Sequence, residues 1–220
     1  MQEFLKMADD TRLGIVMATY LEAKPFVKGW ELRRTEKSPF RLYKRDHIAL
    51  ILSGVGKANA AMATAYLIWK HGARCILNAG AAGAMGKMEV GDIFHIKRVI
   101  EYDRPAIPFG RKRVVIPALL PGFVTATLAT QDRAVLDADR RGRMSLIADL
   151  ADMEGASVVQ ACKRFGARCY LFKVVTDTVE DSEIVDIVIN IKRTGKKLFE
   201  FIDERVYPLL SDTDGEEAGA

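Results

Sequence analysis

Short apolar, β-rich runs alternate with longer amphipathic stretches along this chain, and no other feature constrains the fold as much. LGIVMAT (13–19), RCILN (74–78) and CYLFKVVT (169–176) have the length and side-chain character of buried strands. ANAAMATAYLIWKH (58–71) is Ala-rich and reads as a helix, with Gly72 placed to end it; Glu154–Phe165 reads the same way, stopped by Gly166. Ile184–Leu209 is a long amphipathic helix. Strands separated by helices at this spacing imply an α/β layered fold around a parallel or mixed sheet. No linker or internal repeat divides the 220 residues, so one domain is expected.

The intervening segments are less regular. A charged connector follows the first run, and Trp30–Thr35, Phe40–Arg45 and His47–Ser53 are expected as strands, the first two joined by a turn at Lys37-Ser38-Pro39. RCILN runs into a small-residue loop, AGAAGAMG. Asp92–Tyr102 and Phe123–Thr130 read as strands, and Leu146–Ala151 as a short one. Ala106–Pro121, with three prolines and the GRKR cluster at Gly110–Arg113, reads as irregular, and Asp132–Arg143 as a short helix or a loop. Residues 1–12 form a charged extension, 13–210 the domain, and 211–220 an acidic tail expected to be disordered.

Composition removes several function classes. Lys and Arg exceed Asp and Glu by only 33 − 29 = 4, with no long basic run, so a nucleic-acid partner is not expected. Cys75, Cys162 and Cys169 form no CxxC, and His47, His71 and His95 have no zinc-site spacing; no metal site is expected, and the thiols read as buried and reduced. The N-terminus lacks the apolar core of a signal peptide, and no apolar run approaches the about 18 residues of a membrane span. A soluble, cytoplasmic protein is the expectation.

Ligands of α/β sheets collect beyond the carboxyl ends of the strands, so the polar residues just past each apolar run are the site candidates. Glu22 follows the first strand, Gly54-Val55-Gly56-Lys57 the third hairpin strand, Asn78-Ala79-Gly80 the next; Asp152-Met153-Glu154 lies between a strand and a helix, and Asp177 closes the most apolar strand. Glu22, Glu154 and Asp177 therefore have the chance to meet in one cleft. Each also has a simpler reading, as a helix-terminal acid, a cap or an exposed residue. GVGKAN lacks the third glycine and the distant acid of a dinucleotide site, and neither GxxxxGK[ST] nor GxSxG occurs.

The order of motifs, a strand leading to Glu22, then SGVGKANAAMAT, LNAGAAGAM, VGDI, ADMEGASVVQ and a strand ending in Asp177, resembles the purine nucleoside phosphorylase/nucleosidase superfamily, its 5′-methylthioadenosine/S-adenosylhomocysteine nucleosidases above all. The resemblance runs from about Leu13 to Leu209, and NAGAAGAM, VGD and DMEGA together are its most specific part. It implies a single-domain three-layer fold with a central mixed sheet flanked by helices, no cofactor, a small-molecule nucleoside as partner, and a homo-oligomer. By the same resemblance Asp177 is the general acid for the leaving purine and Glu22 the base for the attacking water. Glu154, beside Met153, holds the ribose hydroxyls; Ala79, Gly80 and Ala81, in a loop extending to Gly83, line the pocket; and Asp132 joins the substrate-binding set. Cleavage of an N-glycosidic bond leaves positive charge on the sugar and negative charge on the base, which calls for an acid on one side and a carboxylate on the other.

The chain departs from the family pattern where Ala81 replaces a serine, where Ala134 in ATQDRAV stands for an aromatic that stacks on the purine, and where TDT ends the Asp177 strand. The family also includes futalosine hydrolases and nucleosidases of lipid precursors, so the substrate is open. The first loop, MATYLEAKPF, lacks the glycines of a phosphate loop and carries Glu22 instead, which favours water over phosphate as nucleophile.

Overall fold

Among residues 11–105, 114–179 and 183–212, which the computed structural model describes, ten strands join one mixed sheet. Its centre is four parallel strands in the order β4 (Ile48–Leu52), β1 (Leu13–Met17), β5 (Cys75–Ala84) and β10 (Arg168–Asp177). Every residue of β1 and β4 is buried, as strands covered on both faces require. Alternate residues feed two cores. Val16, Ile51 and Ile76 meet Leu67 of α2 (Lys57–His71) and Val159 of α4 (Gly155–Phe165); Ile15, Leu50 and Leu77 meet Phe26 of α1 (Tyr20–Gly29) and Leu198 of α5 (Ile184–Phe201).

The sheet is handled differently at its two sides. β3 (Arg41–Arg45) and β2 (Arg33–Glu36) continue it as an antiparallel hairpin beyond β4. On the other side β6 (Ile93–Glu101), β8 (Thr125–Thr130) and β9 (Leu150–Asp152) curl round: β10 pairs β6, β6 pairs β8, β8 pairs β9, and β9 returns to β5. The circuit β5–β10–β6–β8–β9 is closed and has no free edge. The two-residue β7 (Val114–Val115) pairs with β6.

Several segments differ from the sequence reading. The charged connector is helix α1, started by a capping box in which Thr19 and Glu22 bond each other reciprocally. The strand expected at Trp30–Thr35 begins only at Arg33, because Trp30 caps α1 and Glu31 sits at φ 50°. The small-residue loop is no loop: β5 continues to Ala84, since only small side chains fit between β10, β9 and the carboxylates described below. The strand expected at Leu146–Ala151 is shorter and later, and Asp132–Arg143 contains α3 (Ala138–Ser145) after an irregular start. The long terminal helix is interrupted by a π-helical turn at Ile202–Val206 and resumes as α6 (Tyr207–Asp212). Gly72 and Gly166 take the expected left-handed caps. The GRKR cluster, most of the N-terminal extension and residues 213–220 lie outside the described residues.

Candidate active site

The carboxyl ends of β1, β5, β9 and β10 meet around a cavity of about 420 Å³, lined among others by Glu22, Ala81, Met153, Glu154 and Asp177. Ala134 lines it as well. Ala79 and Gly80 stand behind this lining. Asp132 lies outside it at the start of α2, where Oδ1 accepts the Lys57 N–H at 2.9 Å and the side chain is half exposed.

Glu22 is fixed by its own helix start. Oε2 accepts the Thr19 N–H at 3.0 Å and the Thr19 hydroxyl at 2.7 Å, and Oε1 accepts the Ala81 N–H of β5 at 3.0 Å. The last bond needs Gly80, because a Cβ there would stand 2.8 Å from Oε1. The cap and the site residue are thus one side chain.

Glu154 occupies the N-cap position of α4, and its Oε1 accepts the Gly56 N–H at 2.9 Å. Gly56 sits at φ 103°, a backbone conformation that favours glycine. Burial, reinforced by the neighbouring Asp152 charge, pushes the Glu154 carboxyl up to about 7, against the pull of Lys173 and the Gly56 N–H. Asp152 is saturated: Oδ1 accepts the Thr130 hydroxyl at 2.6 Å, and Oδ2 accepts the Gly155 N–H and the Lys173 ammonium, each at 2.8 Å. Lys173 is 1% exposed. Burial works against its charge, yet Asp152 and Glu154 hold its pKa above that of an ordinary lysine.

Asp177 reaches the cavity through a bulge in β10, which shifts register against β5 between Val175 and Asp177. Its Oδ1 accepts the Thr176 hydroxyl at 3.0 Å, and its Oδ2 is ion-paired with Arg141 of α3. Arg141 is fully buried and also donates to the Ala84 carbonyl at 2.8 Å. Gly83 makes room for the pair; a Cβ there would lie 2.5 Å from Asp177 Oδ2.

The three sequence-predicted carboxylates therefore converge. Sequence reasoning missed Lys173 and Arg141. A lysine inside the most apolar strand was a readable signal, since such a residue is buried only when paired; Arg141, one of several arginines in a charged run, carried none.

A family model for the phosphorylase superfamily matches residues 8–141. An aminodeoxyfutalosine nucleosidase of Campylobacter jejuni is 26% identical over 162 residues, 63% of this chain and 71% of the relative. A 5′-methylthioadenosine/S-adenosylhomocysteine nucleosidase of Chromohalobacter salexigens is 23% identical over 199 residues, 76% and 84% of the two chains. In fold, the chain is similar to a futalosine hydrolase mutant of Helicobacter pylori, with a TM-score of 0.80 at 18% identity over 90% of this chain and 99% of that one. It is equally similar to the 5′-methylthioadenosine nucleosidase of Arabidopsis thaliana, at 0.80 and 23% over 91% and 96%. With more than half its length under the family model and the mixed sheet to match, this chain belongs to the phosphorylase superfamily.

Proposed function

We propose that the protein is an N-ribosyl hydrolase that cleaves the glycosidic bond of a purine-type nucleoside such as 5′-methylthioadenosine or S-adenosylhomocysteine. The observation that carries this reading is the meeting of Glu22, Glu154 and Asp177, from three separate elements, on one cavity. The nucleosidase names of its relatives agree with it.

Glu154 as a carboxylate accepts from both ribose hydroxyls, beside Met153 and Ala81. Glu22 takes a proton from the attacking water. As the bond from C1′ to the base breaks, its electron pair goes to the base, and a proton that Asp177 takes up from solvent as the nucleoside binds goes to purine N7, which returns the Asp177 carboxylate to its ion pair with Arg141. The Arg141 guanidinium on the far side of Asp177 places a fixed cation near the charge that builds on the base. Gly80 and Ala79 shape the strand behind Glu22, and Asp132 holds the α2 terminus that presents Gly56 to Glu154.

A phosphorylase is the second reading, and the helix termini speak against it. Helix N-termini are ready-made anion sites, but those of α1, α2 and α4 at this cleft are filled by the protein's own groups, and α5, whose first residue Ile184 also lines the cavity, starts behind the acid Glu183. Thr19 and Glu22 cap α1, Glu154 and Asp132 take the Gly56 and Lys57 N–H groups of α2, and Asp152 takes that of Gly155 in α4. Free base measured from a nucleoside panel with and without phosphate tests both readings. Release in phosphate-free buffer is expected; release only with phosphate, or from no nucleoside, refutes the hydrolase.

A cytoplasmic homo-oligomer completes the proposal. Met62 and Trp69 stand 55% and 76% exposed one heptad apart on α2, an apolar stripe suited to a second copy, and the buried thiols, none of them in a disulfide, fit a reducing compartment. Among the described residues no helix is long and apolar enough to cross a membrane.

A further inference from the structure

We infer that the guanidinium of Arg133 lies flat on the face of the bound purine and serves as its stacking surface. This rests on the nucleosidase reading above. A purine has two broad π-faces, and proteins that hold a base stack aromatic side chains or arginine planes on them. Among the described residues no Phe, Tyr, Trp or His lines the cavity. Much of the lining is aliphatic, with Val55 and Leu136 beside Ile184, Ile187 and Ile191 of α5. Arg133 is the single cation in the lining, and the single side chain there with an extended planar π-system.

The chain path sets Arg133 beside the proposed acid. Strand β8 ends at Thr130, level with Asp152 of β9, and Ala151 of β9 pairs with Gly83, the β5 partner of Asp177. Residues 131–137 leave that row and lead into α3, whose Arg141 returns to Asp177. Arg133 therefore stands on the stretch joining two elements that flank the acid, and a purine with N7 at Asp177 lies against it. The other polar side chains of this stretch are committed. Gln131, fully buried, donates to the Arg133 carbonyl at 2.5 Å and accepts from Arg140 at 2.9 Å. Asp132 accepts from the Lys57 backbone, and Asp137 caps α3 through the Arg140 N–H at 2.8 Å. The Arg133 backbone is thus pinned, while its exposed guanidinium has no ion pair or hydrogen bond among the described residues. A guanidinium is weakly hydrated, so a base laid on it displaces little bound water and gains cation–π attraction, whereas an ammonium keeps its water.

The test is the dissociation constant of formycin A and formycin B, C-nucleosides whose base cannot be released, for the parent and for Arg133→Ala, Arg133→Lys and Arg133→Phe. Base release from 5′-methylthioadenosine is followed in the same four proteins. The side chain is exposed and holds no other residue, so the variants should keep the parent Tm. Arg133→Ala should bind both formycins about 5–100-fold more weakly, by a similar factor for the 6-amino and the 6-oxo base, because stacking reads the face and not the edge. Arg133→Phe should recover most of that loss and Arg133→Lys should not, and kcat/KM for 5′-methylthioadenosine should follow the same order. Recovery by Lys but not by Phe makes the residue a point charge or a hydrogen-bond donor and overturns the inference. So does unchanged affinity and kcat/KM in Arg133→Ala, or a loss confined to one of the two bases. Any of these beside base release by the parent sinks this inference alone, whereas a parent that neither binds a formycin nor releases base sinks the nucleosidase reading with it.

Discussion

The strand ends beneath the cavity and the α5 wall above it are built by different physics. Below, nearly every polar group is held by two or three partners, and glycines at 80 and 83 stand where a Cβ would collide with a carboxylate. Along α5, aliphatic side chains meet the cavity and solvent with few directional contacts. The carboxylates below are fixed in place by backbone and side-chain donors, whereas the α5 surface tolerates exchange of one aliphatic group for another.

Mutations should separate the two regions sharply. Asp177→Asn is expected to lower kcat by about 10²–10⁴-fold while nucleoside binding persists, seen by single-turnover base release beside equilibrium binding. Lys173→Met leaves the Asp152 carboxylate buried without its cation and should destabilise the fold by about 3–5 kcal/mol in urea titration. Gly80→Ala pushes on Glu22 Oε1; a displacement of that kind costs about 10²-fold in kcat, with global stability little changed. Val188→Ser, on the exposed α5 face, should stay within about 0.5 kcal/mol of the parent in the same urea titration. A Gly80→Ala enzyme of full activity, or a Val188→Ser protein as damaged as Lys173→Met, would erase the contrast.

Glu154 adds a pH signature. With its carboxyl raised to about 7, the group is protonated below that pH and offers the ribose diol one acceptor fewer. kcat/KM should therefore fall by about tenfold per unit below pH 7, and Glu154→Gln should lose that limb. The stability term has the opposite direction. Between the ordinary 4.5 and about 7 the folded protein keeps a proton that the unfolded chain has released, so this group's contribution declines as pH rises through that window.

Much of the scaffold was legible because apolar runs and glycine stops report directly on buried strands and helix ends, as at Leu13–Met17, Gly72 and Gly166. Glu22, Glu154 and Asp177 were legible because each follows such a run. What escaped depended on tertiary context. Ala79–Ala84 looks like a loop in sequence, since small residues are poor strand formers; it is a strand because β10 and β9 pair with it and leave no room for anything larger. Helix α1 was hidden by Pro25 and its charges, although Thr19-x-x-Glu22 carries the capping-box signature. Arg141 acquires meaning only from the ion pair that folding creates.

In the proposed hydrolase, three acids act on one bound nucleoside in different roles. Paired measurement of dissociation constant and single-turnover base release for Glu22→Gln, Glu154→Gln and Asp177→Asn separates those roles. Weakened binding in Glu154→Gln, with binding kept but base release lost in the other two, is the predicted result. Unchanged release in Glu22→Gln and Asp177→Asn would contradict it.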